Sequence, residues 1–577
     1  MATRRRVSGW TAGAAALALL AAACGGGSPA PEATQPGSAA TTAASAPWFQ
    51  EVAASSGVTF QHRSGHEGQV FRLPEIMGGG AALFDMDGDG DLDLLLVQSG
   101  RLGRADDGAR HRLYRNDGRG RFDDVTAGSG VDVGGYGMGA ATGDVDGDGD
   151  VDVYLTNLGT SVLLLNDGHG RFTDGTARAG VAGSGWSTSA AFADLDVDGD
   201  LDLFVTRYVA WEPGREKQCF SLTGVVDYCS PKNYDAPSSD LLFLNRGDGT
   251  FVDASTSSGV AGARGNGLGV VVDDVDGDGR PDVFVANDAT PNHLWMNQGG
   301  GRFREEALTR GVAIDQDGAP KAGMGVHAAD VDGDGDNDLL VMNLDTESDS
   351  YYRNDGAFFV DATTMVGLRV ASRRFTRFGM AMHDFDNDGR LDLYEANGRV
   401  GLQGETFAAD PYAEPNLLFR GTAGGTFEEV APRGGVEAPL VATSRAAAFG
   451  DLDGDGGLDI VVVNRDAAPY VLRNVAPGRG HWASFAVRTA QGGDALGAVL
   501  RISAGGRTVR RDVRAAYSYL AASDPRVHVG LGAATAVDQV EVSWPGGGVE
   551  RFGPFAVDRV IAITRGAGAP VPVTAAR

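Results

Sequence analysis

One nine-residue acidic loop recurs seven times in this chain, each copy placing Asp at positions one, three, five and nine and running straight into an apolar, β-rich stretch. The carboxylates are Asp85, Asp87, Asp89 and Asp93; Asp144, Asp146, Asp148 and Asp152; Asp194, Asp196, Asp198 and Asp202; and Asp274, Asp276, Asp278 and Asp282. The last three sets are Asp330, Asp332, Asp334 and Asp338; Asp384, Asp386, Asp388 and Asp392; and Asp451, Asp453, Asp455 and Asp459. A glycine at position six (Gly90, Gly149, Gly199, Gly279, Gly335, Gly389, Gly456) opens each turn, so carboxylates two residues apart converge on one point. Like charges converge stably only around a cation. An all-oxygen shell on a flexible loop favours Ca²⁺ over soft or strictly octahedral metals, so up to seven Ca²⁺ ions are expected.

Two plainer accounts fall short. Asp and Gly build tight turns well, which explains one or two aspartates per loop but leaves four clustered carboxylates repelling one another in every copy. An EF-hand needs a bidentate Glu at position twelve and flanking helices. Position twelve here is Leu96, Leu155, Val205, Val285, Val341, Glu395 and Val462, so the EF-hand fails. Glu395 is expected to be a strand residue with an exposed or locally paired carboxylate.

Two further motifs keep step with the loops. Phe-x-[Asp/Glu] is followed by a glycine eight residues on, at Phe49/Gly57, Phe122/Gly130, Phe172/Gly180, Phe251/Gly259, Phe303/Gly311, Phe359/Gly367 and Phe427/Gly435. A short apolar run ending mostly in Asn lies between each loop and the next Phe: Leu113–Asn116, Leu163–Asn166, Leu242–Asn245, Leu294–Asn297, Tyr351–Asn354, Leu417–Arg420 and Val471–Asn474. Loop starts fall 50 to 80 residues apart, the length of a propeller blade plus insertions. Gly/Ala-rich strands such as Gly78–Ala82 precede the loops, as crowding round a central channel requires.

The order of motifs predicts how the array closes. The chain enters the repeats on a Phe motif at Phe49 and leaves them after Asn474 with no Phe motif following. The strand around Trp48–Val52 is therefore expected to pair with the strand ending near Asn474, removing free sheet edges. The expected fold is all-β: a seven-bladed β-propeller over 48–477, followed by a small sandwich-like β domain over 478–577.

Net charge is −28 over 577 residues, much of it in the loops, which excludes a nucleic-acid partner. Residues 1–24 read as an export signal, with Arg4–Arg6, an apolar stretch and a lipobox-like Leu20-Ala21-Ala22-Ala23-Cys24. Cys24 is the expected lipidation site, the alternative being an incidental cysteine in an ordinary signal peptide. Residues 25–47 are rich in Gly, Ser, Ala, Thr and Pro and read as a tether. Cys219 and Cys229 share one insertion and are expected to form a local disulfide. Membrane contact is expected only through the Cys24 lipid, with an extracytoplasmic, surface-tethered or secreted location.

An enzyme needs carboxylates made unequal by their surroundings, whereas these repeat identically. His327 and His383 lie near loops five and six without a Ser or Cys partner and are expected to be packed strand positions. No sialidase box, nucleophile elbow or nucleotide loop occurs.

The acidic loops with their Gly/Ala strands resemble the FG-GAP/VCBS repeats of integrin α-subunit propellers. Beyond His481, the motifs His481-Trp482, Ser518-Tyr519, Ser523-Asp524-Pro525-Arg526, Gly530-Leu531-Gly532 and Val542-Ser543-Trp544-Pro545-Gly546 resemble the ASPIC/UnbV domain. Propeller plus this domain is the layout of the cartilage acidic protein family and its bacterial relatives, and the cysteine insertion with Tyr228-Cys229-Ser230-Pro231 looks like that family too. The resemblance implies calcium binding, an extracellular setting and adhesion or matrix contact, but no reaction. The expected function is a Ca²⁺-binding adhesion or scaffold module with a protein or glycan ligand; the alternative is a hydrolase sited at the channel mouth. Arg507, Arg510, Arg511, Arg514 and Arg526 make the C-terminal region locally basic, either as a solvated face or as a surface docking on the acidic repeats or on an anionic ligand.

Overall fold

The computed structural model describes residues 46–103 and 108–571, all within one compact unit, Ser45–Arg577. The export signal, Cys24 and most of the tether lie outside the described residues. Among the described residues, no helix is long and apolar enough to cross a membrane.

Each acidic loop is the turn between the first and second of four consecutive antiparallel strands, and seven such sheets follow one another, numbered here by their loops; sheet one gains a fifth, parallel strand, Ala521–Ala522. In sheet two, Tyr136–Gly143 runs into the loop, Asp152–Leu158 leaves it, and Val162–Asn166 and Phe172–Asp174 complete the sheet. Position nine of the loop is thus the first residue of the second strand, where its carboxylate is carried out of solvent. The apolar run and the Phe motif are the third and fourth strands, with Asn166 opposite Phe172. Sheet seven takes its fourth strand from the other end of the chain: Phe49–Glu51 pairs with Tyr470–Asn474, placing Phe49 opposite Asn474.

The first strand of each sheet packs beside the first strand of the next, and that of sheet one beside that of sheet seven. Small residues are needed there. A Cβ on Gly80 would lie 2.6 Å from the Cα of Gly139, and one on Gly325 would lie 2.0 Å from the carbonyl of Phe378. The glycine eight residues after each Phe has a similar cause. Gly57 and Gly130 adopt φ of 97° and 90°, and a Cβ on them would sit 2.3 and 2.0 Å from the carbonyls of Phe122 and Phe172 in the following sheets. The fixed spacing therefore sets the packing between sheets as well as the turn within one.

Sheet six corrects one reading. The residue opposite Phe427 is Gly421, one place beyond the Arg420 expected to end the apolar run. A Cβ there would meet the carbonyl of Leu391 at 2.1 Å, so sheet six cannot carry the Asn that the other six sheets have.

The C-terminal region contains a three-stranded sheet, with His481–Arg488 between Val527–Gly532 and Val560–Thr564, and a five-stranded sheet built on Val499–Ala504 and Gln539–Ser543. Phe485, Val529 and Ile563 of the first sheet share a core with Leu500, Ile502, Val540 and Val542 of the second. That core is continuous with Tyr154, Phe192 and Val205 of the repeats, so the region shares its interior with sheets two and three.

Its segment 515–524 enters the space ringed by the first strands. Ala521 and Ala522 pair in parallel with Ala81 and Ala82, Ser518 bridges Val326, and Ser518 Oγ donates to Ala447. Tyr519 is 0% exposed, stands edge-on to Phe378 and donates its hydroxyl to the carbonyl of Met77 at 2.8 Å. Leu520 packs over Gly139 and donates its N–H to Ser189 Oγ at 3.1 Å.

Candidate metal centres

The first aspartate of each loop organises the turn. Its Oδ2 accepts from the N–H of the position-six glycine in all seven copies, at 2.7 to 3.2 Å. Oδ1 of position five accepts from the N–H of position seven in every copy, at 2.8 to 3.1 Å. Position nine is a tie in the frame. Its Oδ2 accepts from the position-two N–H, and its Oδ1 accepts from the residue ending the third strand, Asn in six sheets and Gly421 in the sixth.

Position three is different. Oδ1 of Asp87, Asp146, Asp196, Asp386 and Asp453 is buried with no hydrogen-bond partner. A buried carboxylate oxygen left without a donor is costly, and five equivalent orphans aimed into like-charged clusters fit a cation. The carboxylates of positions one, three and nine come together in the first four loops, as in Asp85, Asp87 and Asp93, their oxygens within 4.8 Å of one another. In loop five the group is Asp330, Asp332 and Asp334, so position five joins in place of position nine. These clusters can hold metal ions, and an all-carboxylate donor set suits a hard divalent cation.

Charge is stored in the loops at a cost. Burial, reinforced by neighbouring loop carboxylates, pushes Asp152, Asp202 and Asp282 up to about 8 and Asp93 to about 7, against the opposing backbone hydrogen bonds. Asp392 and Asp459 are driven well above the usual carboxylate range for the same reason. A cation among these groups restores their ionised form.

Third-strand Asn residues have a role that the sequence pattern did not disclose. Asn166 Nδ2 donates to the carbonyl of Met86, at position two of the preceding loop, at 2.9 Å. Asn245, Asn297, Asn354 and Asn474 make the same bond to Val145, Leu195, Val275 and Phe385. Asn116 makes it to Leu452, from the first loop-bearing sheet to the last loop. The signal was the constancy of Asn where a turn would accept many residues.

The C-terminal region lies against the acidic loops, and its arginines are docked. Arg514 reaches Asp273 at 3.0 Å and the carbonyl of Ala328, Arg510 reaches Asp273 at 3.4 Å and the carbonyl of Gly335, and Arg507 and Arg526 donate to the carbonyls of Gly389 and Gly90. Arg479 holds both oxygens of Asp455, and Trp482 lies over Gly456. The Gly530 backbone lies so close to loop six that a Cβ there would be 2.0 Å from Asp384 Oδ2. The solvated-face reading of the arginines is thereby replaced.

Glu395 is neither exposed nor a loop ligand. It is 0% exposed, beside Asp349 and Arg377, and burial followed by Asp349 drives its carboxyl well above the usual range. His327 and His383 are packed as expected: His327 stacks on Tyr517 at 4.3 Å, and His383 Nε2 lies 2.9 Å from the Tyr517 hydroxyl. Burial lowers His383 to about 3, so both rings are neutral at physiological pH.

Cys219 and Cys229 are joined in a disulfide with a Cα–Cα distance of 5.2 Å, bracing the hairpin of Cys219–Phe220 and Val226–Asp227. Asp227 anchors it by accepting from the Tyr412 hydroxyl and the Leu402 N–H.

Comparison with known proteins agrees with this architecture. The FG-GAP-like repeat profile matches residues 85–155, 144–205, 224–285, 274–341 and 330–395, and the ASPIC and UnbV profile matches 488–570. Cartilage acidic protein 1 of Mus musculus is 29% identical over 322 residues, covering 54% of this chain and 46% of the relative. The Homo sapiens protein of that name is 27% identical over 332 residues, covering 56% and 38%. The chain thus spans less than half the length of these relatives. Among solved structures, an Agrocybe aegerita lectin recognising non-reducing terminal N-acetylglucosamine aligns at TM-score 0.36 and 18% identity, covering 68% of this chain and 86% of its own. An exotype rhamnogalacturonan lyase aligns at TM-score 0.29 and 12% identity, covering 72% and 91%. Likeness at this level transfers no ligand or reaction. By its repeats the chain belongs to the FG-GAP-like repeat family, and residues 488–570 match the ASPIC and UnbV domain.

Proposed function

We propose that the seven sheets are the blades of a closed propeller, that its loops bind up to seven Ca²⁺ ions, and that the protein is an exported binding or scaffold module at the cell surface. Closure is supported by the Phe49–Asn474 pairing and the Asn116–Leu452 bond. Positions one, three, five and nine of each loop would hold the ion, which when bound neutralises the carboxylates and fixes the turn. The Ca²⁺ is then part of the frame.

One observation carries the choice of a binding role. The space ringed by the first strands is filled by Tyr519 and Leu520, and the acidic side is covered by the C-terminal region, so the channel-mouth site of the hydrolase alternative has no support there. Contact therefore falls to the loops at the opposite ends of the sheets. The disulfide-braced hairpin is the foremost of these: Leu222 is 96% exposed, with Phe220 and Val225 beside it. An apolar tip on a rigid hairpin fits a protein partner with an apolar recess. A tether over 25–47 and a lipid on Cys24 would hold this surface at the membrane.

Calorimetric titration of Ca²⁺ into chelator-treated protein tests the frame, with several sites per chain expected; no heat and no change in melting would overturn it. Capture of surface proteins by wild type and by Leu222→Asp tests the contact surface. Equal capture by both would remove the hairpin from the reading.

A further inference from the structure

Between the C-terminal region and loops three and four lies a cavity of about 140 Å³. Its walls are mostly apolar, formed by residues such as Ala191, Val272, Leu496, Val513, Ala515 and Pro545. Two polar groups in the lining are buried and unsatisfied. Trp544 is 5% exposed and its Nε1 has no hydrogen-bond partner; Asp273 is 6% exposed and its Oδ2 has none. Asp273 is held rigidly through its other oxygen, which accepts from Arg514 at 3.0 Å and from Asn337 Nδ2 at 2.9 Å.

A third observation concerns the lining residue Val197, whose φ is 66°. A β-branched residue in the left-handed region is strained. The equivalent position is glycine in five other loops (Gly88, Gly147, Gly277, Gly333, Gly454) and Asn387 in the sixth, so the strain belongs to this cavity alone. What the valine supplies there is an apolar wall that glycine cannot.

We propose that this cavity is a binding site for a small neutral molecule with an apolar body and one hydroxyl group, of the phenol or alcohol class. Its hydroxyl donates to Asp273 Oδ2 and accepts from Trp544 Nε1, satisfying both orphans at once. Charged ligands are disfavoured from both sides. An anion would face the unpaired Oδ2 of Asp273, and a cation would compete with Arg514, already paired to Asp273. A polyhydroxylated ligand would leave hydroxyls against apolar walls, which is costly.

The test is calorimetric or ligand-observed binding of phenol and of toluene to the full chain in Ca²⁺, with a crystal structure of the phenol soak. One phenol per chain is expected in the cavity, with toluene at least tenfold weaker. Trp544→Phe keeps an aromatic wall but removes the N–H together with part of the indole, so the ratio of phenol to toluene affinity, rather than either affinity alone, should fall about fivefold to tenfold. Val197→Gly gives a second handle that does not endanger the fold: it should raise the melting midpoint and weaken both probes. Equal affinity for phenol and toluene, no binding of either, an unchanged ratio in a folded Trp544→Phe protein, or a structure with only water joining Asp273 and Trp544 would each overturn the proposal.

Discussion

Asn116 Nδ2 donates to the carbonyl of Leu452 at 2.8 Å although 336 residues separate them. The same Nδ2 donates to Leu92 of its own loop at 3.0 Å, so one buried side chain fastens the last loop to the first. Removing it leaves two buried carbonyls without a donor. Asn116→Ala is expected to cost about 1–3 kcal/mol in denaturant unfolding, and Asn245→Ala, at an internal junction, should cost the same. A much larger loss at Asn116 alone would mean that the seam is weaker than the internal junctions.

Cation removal should act through pH. In the metal-free fold, burial raises Asp152, Asp202 and Asp282 to about 8, above the ordinary unfolded value of about 3.9. The native state therefore binds more protons between these limits, and the metal-free protein loses stability as pH rises from about 4 to about 8. Protons and Ca²⁺ compete for the same oxygens, so the stabilisation gained from Ca²⁺ should shrink from pH 8 to pH 5. Melting midpoints with and without chelator at three pH values check this; a shift independent of pH would count against carboxylate ligation.

Much of this architecture could be read from the chain because its signals are repeated. Short apolar runs ending mostly in Asn, a Phe–Gly spacing of eight and an invariant acidic turn each describe contacts within or next to one sheet, and the missing last Phe motif identified the partner of Phe49. What escaped lies in contacts that occur once. Asp273 looks like one more loop acid, yet it anchors Arg510 and Arg514 from more than 200 residues away. Tyr519 stands out only as part of the Ser518-Tyr519 marker, and no local pattern says that it enters the ring. The end of the third strand in sheet six falls one residue later than the run suggests, at Gly421, because its register depends on the close approach to the Leu391 carbonyl of loop six.

Tyr519 fills the centre, so its loss should be felt throughout. Tyr519→Ala removes a fully buried ring and the hydroxyl bond to Met77, and is expected to cost about 3–5 kcal/mol as aromatic truncations in cores do. Tyr519→Phe removes only the hydrogen bond and should cost about 1 kcal/mol. Hydrogen exchange should show faster opening of 515–524 in the alanine variant. Unchanged exchange there would mean that the segment is held by its backbone pairing with Ala81 and Ala82.

The disulfide separates stability from recognition. Cys219 and Cys229 close a loop of sequence separation 10, and the hairpin they brace is anchored to the frame through Asp227 and through Tyr228, which is 6% exposed and accepts from Arg465 at 3.0 Å, so the exposed tip at Phe220–Val225 is the part the disulfide alone holds. A short closed loop stabilises by about 2–3 kcal/mol at most, and here that energy acts on the hairpin rather than on the sheets. The double variant Cys219→Ser with Cys229→Ser should therefore leave the main melting transition nearly unchanged while making the segment between Pro213 and Pro231 more sensitive to protease. If the hairpin is the contact surface, partner capture should fall at least tenfold in the same variant, because the ordering cost of Phe220, Leu222 and Val225 moves from folding to binding. Loss of the main transition would show that the hairpin is part of the frame, and undiminished capture by the folded variant would place recognition on other loops.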